Sequence, residues 1–145
     1  TEIVILPNAY KQGETAGINM AGGERIFEKA FVMNSMPFLG LSILSAGLAE
    51  QREGVRVKTI YKDTENIYKK FYIKGNKLVG YLLINDIDRA GIYTDLIGQE
   101  EDISSFEDSL GEEYFGFICL PKEVRKARMP EGSNMHGRPN IANIK

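Results

Sequence analysis

The sequence predicts an α+β fold: an N-terminal helix, an antiparallel β-meander, and helices packed on one face of that sheet. Three observations predict it. Residues 55–84 contain three runs in which apolar side chains recur along the strand period, parted by short turn-forming segments. Residues 85–98 change to helical spacing. Residues 8–23 repeat small side chains at three- and four-residue steps, which is one side of a helix.

In chain order, the short apolar run Ile3–Leu6 leads into Asn8–Gly23, NAYKQGETAGINMAGG. Ala9, Gly13, Ala16, Gly17, Met20 and Ala21 share a nearly bare side. A glycine inside a helix costs about 1 kcal/mol relative to alanine. Close approach of another backbone or a flat ligand is the usual compensation. From these residues alone, tight packing without a ligand is the favoured explanation. Pro7 suits a helix start, Asn8 suits a cap or first turn, and Gly22-Gly23 is a stop. Glu24–Lys29 is a polar connector carrying Ile26 and Phe27. Ala30–Met36 reads as a strand that Pro37 interrupts, and Gly40–Gly47 as a second apolar segment.

Val55, Val57, Thr59 and Tyr61 alternate with Arg56, Lys58, Ile60 and Lys62, the pattern of a half-buried strand. Asp63–Asn66 makes a turn, Ile67–Lys74 follows, and Gly75-Asn76 is a hairpin loop suited to positive φ before Lys77–Ile84 returns. A regular register from that loop puts Ile73 opposite Leu78, Phe71 opposite Gly80, Tyr72 beside Val79 and Tyr81 beside Lys70. It places Tyr68, Tyr72 and Tyr81 on one face. Asn85 or Asp86 caps a helix with inner stripe Ile87, Ala90, Gly91, Thr94 and Ile97, ended by Gly98. Ser104–Leu110 is expected to be a second short helix, Tyr114–Leu120 a last strand closed by Pro121, and Lys122–Arg128 a basic helical turn. Met129–Lys145, without periodicity, is expected to be an extended or mobile tail.

With 145 residues, one domain of ordinary size is the default, and 43% hydrophobic and 26% charged residues are ordinary for a globular chain. A formal net charge of −2 supplies no basic field, so no nucleic-acid partner is expected. The apolar region 30–49 is broken by Asn34, Ser35, Pro37, Ser42 and Ser45, so no membrane span is expected. One cysteine, Cys119, fits a reducing, cytoplasmic location and excludes an internal disulfide framework. The chain opens on Thr1 and a very short apolar run, from which we expect it to begin part-way through a larger protein.

There is no GxGxxG, Walker pattern, CxxC, HExxH or GxSxG. Cys119 reads as a packing thiol and His136 as a solvated tail residue. The acidic cluster Glu100, Glu101, Asp102, Glu107 and Asp108 lacks the alternation of a calcium loop and reads as a solvated face. Lys122, Arg125, Lys126 and Arg128 read as a solvated basic turn. The tyrosines with Lys70 and Lys74 could stack bases, but a cross-strand cluster or subunit contact is favoured. We expect no catalytic residue and no metal ligand in this chain.

AYKQGETAGINMAGG followed by VMNSMPFLGLSILSAG resembles the C-terminal part of the FAD-dependent pyridine nucleotide-disulfide oxidoreductase family, in its NADH-rubredoxin reductase, NADH oxidase and nitrite reductase flavoprotein branch. Ala9, Gln12, Gly13, Ala16, Gly17, Asn19, Met20, Ala21 and Gly22 stand in the family's helix pattern. Asn34, Phe38, Gly40, Leu41, Ser45 and Gly47 match its next segment, and NDIDRAGIYTDLIGQEEDIS is similar to its closing helix. The resemblance covers Pro7 to about Ser104. It implies a leftover FAD-domain helix at 1–23, an interface or dimerisation domain at 24–120 and a tail at 121–145. It further implies FAD and NAD(P)H in the parent but none on this chain alone, missing N-terminal FAD and NAD domains, and a homodimer. Pro7, Asn8 and Ala9 would lie at the pyrimidine end of the flavin in the intact parent. A non-enzymatic self-associating module is the alternative.

Overall fold

The computed structural model describes residues 6–27 and 32–128. The expectations for Ile3–Ile5, for residues 28–31 and for the 129–145 tail lie outside the described residues. The element order is α1 (Leu6–Met20), β1 (Met33–Phe38), β2 (Leu41–Gly47), β3 (Val55–Lys62), β4 (Ile67–Lys74), β5 (Lys77–Ile84), α2 (Ala90–Gly98) and α3 (Lys122–Ala127). The five strands form one antiparallel sheet in the order β1-β2-β5-β4-β3. The predicted α+β class is the observed one.

The meander closes as expected on the Gly75-Asn76 loop, with Gly75 at φ 59°. Pro37 does not end β1 but sits within it. β1 is an edge strand, bonded on one side only, so a missing N–H is tolerated there. The β1–β2 hairpin turns at Leu39 and Gly40, both at positive φ (49° and 82°).

The expected register fails after its second pair. Ile73 does face Leu78, but Tyr72 then pairs with Gly80 and Phe71 with Tyr81, because the register shifts at Tyr72/Ile73. Val79 is the extra residue of a β-bulge. Its carbonyl accepts the Leu48 N–H at 2.8 Å. The chain leaving β2 thus crosses directly over Gly80, and a Cβ there would overlap the Leu48 backbone oxygen. The bulge inverts the facing of every later β5 residue. Tyr81 enters the core at 0% exposure, on the face opposite Tyr68 and Tyr72.

The core lies between that sheet face and the chain after β5. Leu44, Ala46, Phe71, Ile73, Leu78, Tyr81 and Leu83 supply the sheet side. Ala90, Tyr93 and Leu96 form the buried side of α2. Of the expected stripe only Ala90 is fully buried; the stripe is rotated because α2 begins at Ala90 rather than at residue 85 or 86. Asn85 adopts a left-handed conformation (φ 67°) instead of capping. Its N–H donates to Ser42 O, its Oδ1 accepts from Ser42 N–H, and its Nδ2 donates to Asn66 O. It stitches the start of β2 to the turn before β4.

Two further expectations are corrected. Residues 104–110 form successive turns, with only Glu107–Ser109 as a short 3-10 helix. Residues 114–120 form no strand: Phe117–Cys119 is a 3-10 turn. Phe115 and Leu120 are buried while Ile118 is 73% exposed, a spacing of five that neither face of a strand provides. The Phe115, Cys119 and Leu120 N–H groups bond to Glu112, Gly116 and Phe117 carbonyls, so local turns satisfy the backbone. The basic turn is helical, as α3.

Candidate functional site

α1 opens with Leu6, Pro7, Asn8 and Ala9 in its first turn. The first-turn N–H groups of a helix have no partner within it, and Pro7 brings none. Asn8 is 1% exposed and already engaged, whereas Ala9 is open to solvent. Downstream, a Cβ built on Gly13 or Gly17 would meet nothing within 4 Å. Leu6, Tyr10 and Met20 are exposed by 84%, 75% and 88%. The bare side of α1 is therefore not covered by another described element of this chain, and close packing within this domain does not account for its glycines.

The helix end is secured by its own sequence. Asn19 Oδ1 accepts the Arg25 N–H at 2.7 Å, its Nδ2 donates to Arg25 O, and Gly22 supplies the positive φ (87°) of the stop. Arg25 also pairs with Glu14 at 3.1 Å.

A second polar centre lies in the core layer. Lys69, on the core face of β4, is 3% exposed. Its Nζ donates to Gly111 O at 2.8 Å and lies 2.6 Å from Asp86 Oδ2. Gly111 has φ 89°, and a Cβ there would come within 2.6 Å of Ile60 and Phe71. Tyr93 stacks on Phe115 at 5.4 Å and meets Phe71 edge-on at 4.9 Å. Burial, then the nearby Asp86 carboxylate, pushes the Tyr93 phenol well above its usual range. Tyr81 OH reaches Ala90 O and Thr94 Oγ1. These groups knit the 103–120 segment and α2 to the sheet. With Lys69 buried and its charge compensated by the partly exposed Asp86, the arrangement is suited to holding structure rather than to moving protons.

The acidic residues at 100–108 are dispersed into separate contacts. Glu100 pairs with Lys77 at 3.0 Å, Glu101 with Arg128 at 3.2 Å and Glu107 with Arg56 at 2.7 Å. The Arg56 hydrogen bond and charge hold the Glu107 carboxyl below its usual range. Asp102 caps Ser104 and accepts from Asn76, which likewise lowers its pKa. Arg128, expected in solvent, turns inward between Asp95 (2.5 Å) and Glu101. It borders a shallow groove of about 850 Å³ between α2 and α3, floored by Ile92, Phe117 and Val124. Cys119 is half-buried in its 3-10 turn, its Sγ 3.9 Å from Tyr114 O. His136 lies outside the described residues. Among the described residues no three His, Cys, Asp or Glu side chains gather as a metal site, and no helix is long and apolar enough to cross a membrane.

Sequence reasoning missed Lys69, Asp86 and Tyr93. The only signal for Lys69 was its parity: it shares a face with Phe71 and Ile73, and so should be inside.

Fold and site together define an α+β domain, a sheet covered by helices and turns on one face and preceded by a helix with an uncovered side. Residues 33–101 match the Rubredoxin NAD+ reductase C-terminal domain. The chain is 27% identical over 96 residues to a nitrite reductase [NAD(P)H] of Bacillus subtilis (strain 168), spanning 66% of this chain and 12% of that protein. It is 30% identical over 103 residues to an NADH-dependent phenylglyoxylate dehydrogenase subunit epsilon of Aromatoleum evansii, spanning 69% of this chain and 24% of that one. The fold is similar to that in the covalent putidaredoxin reductase–putidaredoxin complex, with a TM-score of 0.56 and 16% identity over 70% of this chain and 24% of that chain. The chain thus spans a quarter or less of the length of these relatives.

Proposed function

We propose that this chain is the C-terminal portion of a flavin-dependent NAD(P)H oxidoreductase, and that it serves domain packing and homodimerisation rather than chemistry. The observation that carries this is the family match at 33–101 joined to a helix whose glycine side is open. We assign 1–23 as the closing helix of an FAD domain, 24–120 as the interface domain and 121–145 as a tail. The partners would be the parent's FAD and NAD domains and a second copy.

Pro7, Asn8 and Ala9 are proposed to meet the pyrimidine end of the flavin in the intact parent. The first turn of α1 fits one edge of that group. The positive dipole end of the helix suits the partial negative charge of a reduced ring. Pro7 contributes no donor, and Asn8, already buried, orients the turn. Bound flavin would supply hydride acceptance from nicotinamide and onward electron transfer. The bare side at Gly13 and Gly17 would let the FAD domain's sheet approach the helix backbone. We place the parent in the cytoplasm, without membrane or nucleic-acid partners.

The test is a flavin titration of the purified chain. We expect no tight binding and no visible absorbance retained after gel filtration. A yellow chain binding FAD in the nanomolar range would refute the assignment of the site to the intact parent. A chain extended to include its FAD domain should bind.

A further inference from the structure

The sheet face turned away from the core carries a feature the proposed function does not use. Met36 pairs with Ile43, Ile43 with Ile84, Ile84 with Tyr68 and Tyr68 with Tyr61. Directly paired residues share a face, so these five form one apolar row across all five strands. None is buried; Met36 is 43% and Tyr61 64% exposed. The next row, Asn34, Ser45, Leu82, Lys70 and Thr59, is mostly polar. On the other side Phe38, 54% exposed, pairs with Leu41 and widens the apolar surface at β1–β2, which is not what a solvated face needs. Strand spacing makes the row about 19 Å long.

The charges on its two sides are opposite. On one side lies Lys70, its Nζ over the Tyr72 ring at 5.5 Å. On the other lies the 63–65 turn, where Asp63 accepts from Tyr61 OH at 2.5 Å and Glu65 lies 3.6 Å from Lys62. A half-turn about the row itself stacks row on row. It also brings Lys70 of each copy over the Asp63–Glu65 turn of the other, an isologous and self-complementary contact. The sheet edges fit a partner less well. β1 carries Pro37, and β3 projects Arg56, Lys58 and Lys62.

We propose that the occupant of this face is a second copy of the chain, docked sheet to sheet along Met36, Ile43, Ile84, Tyr68 and Tyr61. This rests on the homodimer reading above and specifies its surface. Five strands give a footprint about 24 Å wide, at the small end for a stable interface, so dissociation in the range of about 10–500 μM is expected.

Sedimentation equilibrium from low micromolar to near-millimolar concentration tests it, using the 145-residue chain. Wild type should dimerise, Ile84→Lys should be monomeric throughout, and Leu39→Lys at the hairpin tip should dimerise like wild type. Lys70→Glu should weaken the dimer about tenfold, and adding Glu65→Lys should restore it. Circular dichroism and the urea midpoint confirm that each variant is folded. A monomeric wild type overturns both the proposal and the homodimer reading. A wild-type dimer that survives Ile84→Lys overturns this surface alone and leaves the homodimer reading standing. Failure of Glu65→Lys to restore the Lys70→Glu dimer overturns the half-turn geometry.

Discussion

Replacing Lys69 by Met tests the polar pin beneath the aromatic core. Methionine keeps most of the stem packing and removes the ammonium, so the loss isolates the charge. Two contacts disappear, the ion pair to Asp86 and the hydrogen bond to Gly111 O. Removing one member of a fully buried pair costs about 3–5 kcal/mol. The Asp86 side chain here is 27% exposed, so water can partly replace Lys69 and the cost falls toward or below the lower bound. The Gly111 carbonyl adds about 1 kcal/mol or more for a bond lost from a charged donor. We expect about 2–4 kcal/mol in urea unfolding, with a melting temperature lowered by roughly 5–15 °C. Lys70→Met, one residue on and on the opposite face, should cost less than about 0.5 kcal/mol. A Lys69→Met variant within about 1 kcal/mol of wild type would refute the claim that Lys69 holds the 103–120 segment to the sheet. Asp86→Asn supplies the second arm, and coupling well under 1 kcal/mol in the double-mutant cycle would point to packing alone.

Other substitutions probe different links. Gly80→Ala drives a Cβ into the Leu48 backbone; it should cost about 3 kcal/mol or prevent folding, read by the urea midpoint. Gly17→Ala should gain up to about 1 kcal/mol of helix propensity, visible as increased ellipticity, since nothing lies within 4 Å; a loss would mean that the glycine side is packed after all. Glu107 titrates below its usual range because of Arg56. Its folded value is depressed, so its contribution is present above the unfolded carboxylate range and is lost as pH falls through the folded value. Glu107→Gln should therefore flatten the acid limb of the stability profile below about pH 4.5, and an unchanged limb would count against the Arg56 contact.

The meander and the Gly75-Asn76 loop were readable because their information is local: alternation sets facing, and a two-residue turn sets the first pairs. The bulge was not, because its cause lies some thirty residues away, in the Leu48 N–H that claims the Val79 carbonyl. Partners distant in sequence also hid the displaced start of α2, since Asn85 serves Ser42 and Asn66 instead of its own helix. Tyr114–Leu120 has a strand's composition, yet the pairing order leaves it beneath the sheet with Phe115 and Leu120 inward. For the site, the small residues of α1 announced a bare side, and the resemblance supplied its meaning. Lys69 required knowing which face of β4 was covered, and the sequence offers that only after the helices are placed.

The Val79 bulge also bears on the choice of alignment. A plain hairpin can zip from its loop in several near-equivalent alignments, sliding two residues at a time while keeping its greasy side inward. Here the alignment changes phase one step past the turn, and only the native phase sends both Leu78 and Tyr81 to the interior. A slipped hairpin would have to leave one of them in water until it unzipped. The irregularity therefore disfavours misaligned β4–β5 pairs relative to the native one.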